Sequence, residues 1–150
     1  MTIKKTGQTA AIEADADLET ARTLLGSSIA HLTECGDQLT TAIEGLSLYR
    51  QEEPTRPVSY LCEPSICVIA QGTKRIVLGD EVYDYDARHV FITSVDLPAV
   101  VQVTRASREE PYLSLLLQLD LRELSQLMVE TRLPPPQTQP SSRGMAIGEA

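Results

Sequence analysis

Between Ser65 and Pro98 the chain reads SICVIAQGTKRIVLGDEVYDYDARHVFITSVDLP, a series of short apolar runs broken by Gly-containing dipeptides. Ser65 to Ala70 is β-branched and apolar and stops at Gln71-Gly72. Thr73 to Leu78 stops at Gly79-Asp80, Glu81 to Tyr85 alternates around Val82, Tyr83 and Tyr85, and His89 to Thr93 is again strand-like. Runs of about five or six residues are the length of strands, and glycine supplies the positive φ that a two-residue hairpin turn requires. The spacing predicts a β-meander curled into an antiparallel barrel or sandwich, around which the remaining segments must pack.

The flanks extend this pattern. Gln38 to Ile43 and Leu46 to Gln51 read as a hairpin about Glu44-Gly45, with Leu46, Leu48 and Arg50 on one face and Ser47, Tyr49 and Gln51 on the other. Glu52 to Pro57 is a loop, because Pro54 and Pro57 cannot donate to a ladder, and Val58 to Cys62 is a short edge-like strand. Downstream, Ala99 to Thr104 reads as a strand, and the nearly unbroken apolar run Tyr112 to Leu119 as one covered on both faces.

Two helices bracket the strands. Asp17 reads as the N-cap of a helix reaching about Glu34, with Leu18, Ala21, Leu25, Ile29 and Leu32 on one stripe and Cys35-Gly36 closing it. Asp120 caps the second, with Glu123 at N3 and a stripe of Leu121, Leu124, Leu127 and Met128. That helix should end near Thr131, ahead of Pro134-Pro135-Pro136. The expected organisation is a disordered tail over 1–16, one domain over 17–133, and a Pro/Ser-rich linker over 134–150 leading to a missing C-terminal part. Within that linker, Arg143 to Ile147 has the look of something ordered beginning.

Charge and residue inventory narrow the function. The formal net charge of −8, with no Lys/Arg cluster, repels a phosphate backbone, so contact with DNA would fall to another domain. Three cysteines without CxxC spacing, and no apolar h-region after Lys4 and Lys5, are expected of a reduced cytoplasmic protein. No apolar run approaches the roughly 18 residues that would cross a bilayer. The two histidines, His31 and His89, form no HxH or HxxxH pair, so no metal site and no cofactor are expected. Cys67 falls inside an apolar strand, where a thiol is inert. The acidic cluster Asp80, Glu81, Asp84 and Asp86 reads as a solvated strand face. Tyr83, Tyr85 and His89, along the barrel wall, are the candidate ligand-binding residues; no catalytic set is visible.

The run from Ile66 to Pro98 resembles the N-terminal domain of AraC-type transcriptional regulators. The resemblance rests on Gln71-Gly72-Thr73-Lys74, on Leu78-Gly79-Asp80 followed by Tyr83 and Tyr85, and on Ser94-Val95-Asp96-Leu97-Pro98. Pro111-Tyr112-Leu113, the cap at Asp120 and RGMAI are similar to the family's continuation, so the match runs from about Gly36 to the C-terminus. It implies a cupin-like antiparallel β-barrel or jelly roll with an N-terminal and a C-terminal helix. It also implies an effector-sensing or dimerising domain, a small-molecule effector, a homodimer, and DNA contact only through a helix-turn-helix domain that these residues do not contain. Two other readings compete: an interaction module without a ligand, and a metal-dependent cupin enzyme, which this inventory disfavours because enzymatic cupins use several histidines.

Overall fold

The computed structural model of the chain describes residues 6–131 and 144–149. Its elements run α1 (Thr6–Leu32), β1 (Gln38–Thr40), β2 (Leu46–Gln51), β3 (Val58–Cys62), β4 (Ser65–Gln71), β5 (Thr73–Leu78) and β6 (Glu81–Asp86). Then follow β7 (His89–Thr93), β8 (Leu97–Arg105), β9 (Tyr112–Gln118), α2 (Leu121–Glu130) and β10 (Met145–Glu149). One sheet has the order β1-β2-β9-β4-β7-β10 and the other β3-β8-β5-β6.

The pairing is nested: β2 with β9, β3 with β8, β4 with β7 and β5 with β6, all antiparallel. The pairs alternate between the two sheets. This is one long folded-over hairpin wound into a jelly roll, two facing sheets rather than a closed barrel.

Nesting corrects the meander expected from the sequence. Gly79 does turn a hairpin, β5–β6, at φ +61. Gly72 does not: β4 and β5 lie in different sheets, so the chain crosses between layers there, at φ +90. The approach is close, since a Cβ on Gly72 would stand 2.7 Å from the Arg105 carbonyl oxygen and 3.0 Å from Tyr112 Cα. Only glycine fits that corner without displacing main chain.

The core lies between the sheets, where Ile69, Ile76, Tyr85 and Phe91 are almost wholly buried. Tyr85 and Phe91 stack with centroids 5.2 Å apart. A second cluster sits behind the larger sheet, where Ile29 of α1 packs on Leu48 of β2 and Leu113 of β9. Leu113 thus faces the helix while its neighbours Tyr112 and Ser114 face the core, so β9 is covered on both sides as its apolar run predicts. Arg50 fastens the helix by donating to the Ala30 carbonyl at 3.3 Å.

Both ends of the chain depart from expectation. The helix begins at Thr6, not Asp17, so most of the expected tail is helical; residues 1–5 lie outside the described part. Of its predicted stripe only Leu25 and Ile29 join the cluster on the sheet, while Leu32 is exposed. At the other end, Met145–Glu149 is a strand and not linker: it pairs with β7 from Met145↔Thr93 to Glu149↔His89. Met145 is buried, and the Gly144 carbonyl accepts from Ser94 N at 2.8 Å. The expected linker over 134–143 lies outside the described residues.

The α2 boundary is as predicted. Asp120 Oδ1 accepts from Arg122 N at 2.8 Å and Glu123 N at 3.4 Å, and Thr131 is the C-cap. No residue of α2 is buried, and Leu121, Leu124, Leu127 and Met128 are all exposed.

Candidate ligand-binding site

In a strand, alternate side chains face alternate layers, and the inward set leaves a cavity of about 260 Å³ between the sheets. β2 supplies Tyr49, β4 supplies Cys67, β5 supplies Lys74, and β8 supplies Val101 and Val103. β9 adds Tyr112, Ser114 and Leu116, and Tyr60 stands at the β3 edge, 48% exposed. The segment between β2 and β3 closes one side, since Thr55 is pinned to β8: its N–H donates to the Val103 carbonyl at 3.0 Å and its Oγ1 accepts from Val103 N at 2.9 Å.

Burial controls the electrostatics. Desolvation raises the Tyr112 phenol well above its usual value, as it does that of Tyr85. It raises Tyr49 and Tyr60 as well, so all four are neutral hydroxyls at neutral pH. Burial also lifts the Cys62 thiol, against the pull of the Lys74 charge, which keeps it protonated and unreactive.

Within the cavity lining, the Tyr112 hydroxyl stands out. It is buried and makes no hydrogen bond of good geometry, though the Ser114 side chain stands close enough to favour its ionised form as a weak hydrogen bond would. Tyr85, by contrast, donates to Cys67 Sγ at 3.6 Å.

The three residues expected to bind ligand divide. Tyr85 is a core residue bordering a cleft of about 30 Å³ shared with Cys62, Cys67 and Lys74. Tyr83 and His89 do not line the interior cavity. The Tyr83 hydroxyl donates to Glu81 Oε2 at 2.7 Å, and His89 Nδ1 lies 3.0 Å from Asp86 Oδ1. Asp86 is the anchor of that corner: partial burial pushes its carboxyl up, but bonds from the Arg88 main chain and guanidinium and from His89 outweigh it and hold the pKa at about 2. The neighbouring Asp84 is held low by the Arg75 guanidinium, which reaches both its oxygens at 2.8 and 2.9 Å. Two members of the acidic cluster, Asp84 and Asp86, are therefore held by basic side chains. Among the described residues, no three His, Cys, Asp or Glu side chains come together as a metal ion would need.

The sequence reading passed over Lys74, Tyr49, Tyr112 and Ser114 as cavity residues. Tyr49 was recoverable, because the faces of β2 follow the alternation of its hairpin. Lys74 was not, because the register shift in β4 between Ile69 and Gln71 exchanges the faces of the strand that follows.

Compared with known proteins, the sequence matches one family description, "AraC-type transcriptional regulator N-terminus", over residues 42–150. No curated protein matches. Among solved structures, ToxT from Vibrio cholerae is similar at 14% identity and TM-score 0.43, over 57% of this chain and 34% of that one. The same protein has also been solved bound to (E)-4-(8-methylnaphthalen-1-yl)but-3-enoic acid, with the same coverage and score. A cupin-2 domain protein from Shewanella frigidimarina is similar at 11% identity and TM-score 0.36, over 53% of this chain and 76% of that one. The chain thus spans about a third of the length of ToxT.

Proposed function

The chain belongs to the AraC-type transcriptional regulator N-terminus family, and on that premise we propose that it senses a small-molecule effector held between its two sheets. One observation carries the reading. The fold leaves about 260 Å³ between its sheets, open at the β3 edge where Val58 and Tyr60 are exposed, and borders that space with the buried Tyr112 hydroxyl, which makes no hydrogen bond of good geometry. Packed interiors rarely tolerate either. The domain is a binding module and not an enzyme, working in the cytoplasm, where three free thiols fit a reducing compartment. DNA is contacted by a separate domain of the regulator, since this one carries a net charge of −8. Among the described residues no helix is long and apolar enough to cross a membrane. In this reading Tyr85 is wall, stacked on Phe91 and bonded to Cys67, while Tyr83 bonds to Glu81 within β6 and His89 holds the β6–β7 corner through Asp86.

Native mass spectrometry of the chain, before any dialysis, tests the proposal. A discrete small organic adduct is expected, and it should vanish in Ser114→Leu, which fills the cavity from a buried position. A metal adduct accompanied by turnover would overturn the reading.

A second reading concerns assembly. The exposed stripe Leu121, Leu124, Leu127 and Met128 on a helix with no buried residue supports homodimerisation through α2. Sedimentation equilibrium should then show a dimer that Leu124→Asp disperses; a wild-type chain monomeric at high concentration would exclude it.

A further inference from the structure

The effector cavity has one cation, no anion and an apolar majority. Its lining includes Lys74 and no Asp or Glu. Arg75, the next residue on the same strand, points outward and is matched by Asp84 at 2.8 Å, whereas Lys74 points inward and has no ion pair or side-chain hydrogen bond among the described residues. Lys74 is half-buried and also borders the small neighbouring cleft that contains Glu63, with which it forms no ion pair, so its three donors remain open to an acceptor in the cavity. The Tyr112 hydroxyl, buried and without a hydrogen bond of good geometry, is a further donor in the same lining. The apolar part of the lining includes Cys67, Val101, Val103 and Leu116. A single lysine suits a single negative charge; a phosphate or dicarboxylate would leave charge uncompensated in an interior of low dielectric. The volume, about 260 Å³, falls just under the ~300–1,000 Å³ of pockets that hold drug-sized ligands.

We propose that the cavity takes a compact, mainly apolar monocarboxylate, with Lys74 as its counter-ion and Tyr112 as a hydrogen-bond donor to its oxygens. The inference rests on the sensing reading above and sharpens it to a ligand class. The apolar body replaces empty space against Val101, Val103 and Leu116, and the carboxylate satisfies the two groups that the fold leaves open. Both contributions are gained only when the molecule carries both parts, which is the basis of discrimination against free acetate and against neutral hydrocarbons.

The test is calorimetric titration of the 150-residue chain with matched pairs: butyrate, hexanoate, octanoate, benzoate, phenylacetate and cinnamate, each beside its primary amide. The expected result is a preference for at least one acid over its amide of about tenfold or more, the size of one charge-assisted hydrogen bond. Lys74→Met should abolish that preference, Lys74→Arg should keep part of it, and Tyr112→Phe should weaken the acid by about fivefold or more with the fold intact by circular dichroism. Amides binding as well as their acids, or acids binding Lys74→Met undiminished, would overturn the ligand class while leaving the cavity a sensor. If no member of either series binds, both the ligand class and the cavity reading fall.

Discussion

Replacing Gly72 with alanine loads the tight corner where the chain passes from β4 in the six-stranded sheet to β5 in the four-stranded one. Gly72 sits at φ +90, beyond the left-handed region near about +57° that L residues visit. Holding a side chain there costs about 1–3 kcal/mol. The new Cβ would also meet the Arg105 carbonyl oxygen at 2.7 Å, Tyr112 Cα at 3.0 Å and Tyr112 Cβ at 3.1 Å. Those atoms are main chain or rigidly attached to it, so no rotamer change relieves the clash, and such overpacking adds about 1–3 kcal/mol. The sum, about 2–6 kcal/mol, is a large share of the roughly 5–15 kcal/mol that holds a domain of this size. Gly79→Ala is the matched control. Its φ is also positive, at +61, but no atom lies within 4 Å of its Cβ position, so only the backbone cost of about 1 kcal/mol applies. Urea unfolding followed by far-ultraviolet circular dichroism gives both values, provided m is unchanged between variants. Gly72→Ala should lose at least about 1 kcal/mol more than Gly79→Ala, or fail to fold. Equal losses would refute the argument that the layer crossing is sterically closed to every residue but glycine.

Other perturbations test other parts of the fold. Asp120→Ala removes the acceptor for Arg122 N and Glu123 N, at a cost of about 1 kcal/mol to α2; because α2 buries no residue, the loss should appear as faster amide exchange in that helix while the global midpoint holds. Asp86 has a folded pKa of about 2 against an ordinary value of 3.8, so its contribution is present above pH 4 and is lost as pH falls toward 2. Its side chain is about a third exposed, so screening limits the effect to about 1 kcal/mol or less, and Asp86→Asn should flatten the urea midpoint between pH 4.5 and 2.5 by that amount. Ile29→Ala empties the contact between α1 and the larger sheet, since Ile29 is 1% exposed against Leu48 and Leu113; it should cost about 2–4 kcal/mol by urea unfolding, with amide protection lost first in α1.

Where strands end was readable because turn chemistry is local. Each Gly-X break between Ser65 and Asp80 falls where a strand stops, and the Asp120 cap starts its helix at the next residue. Which strands pair was not readable, because a positive-φ glycine serves a hairpin turn and a layer crossing equally well. Gly79 and Gly72 are alike in sequence context and opposite in topology; what separates them is the carbonyl of Arg105 and the backbone of Tyr112, more than thirty residues downstream. The long helix illustrates the reverse failure. Its first half gives no clear amphipathic signal, so the visible start falls at Asp17, yet the backbone is helical back to Thr6.

The inward face of Lys74 was hidden by the same corner. Along β4 the residues turned to the core are Ser65, Cys67 and Ile69. Counting on by twos through Gly72 would turn Thr73, Arg75 and Val77 inward and leave Lys74 in solvent. The structure has the opposite: Ile76 and Leu78 are buried, Lys74 lines the cavity and Arg75 faces out. The register of β4 on β9 shifts between Ile69 and Gln71, and that of β5 on β8 shifts between Thr73 and Lys74. Only the first of these irregularities resets the count, through the extra residue Ala70 on β4; the second skips Thr104 on β8 and leaves β5 unbroken. A one-residue slip exchanges the faces of an entire strand, and here it carries a lysine into the apolar side of the sandwich. The cation that defines the cavity is thus a consequence of how the chain turns its corner at Gly72, and shifting that corner by one residue would remove the charge from the site while leaving every strand in place.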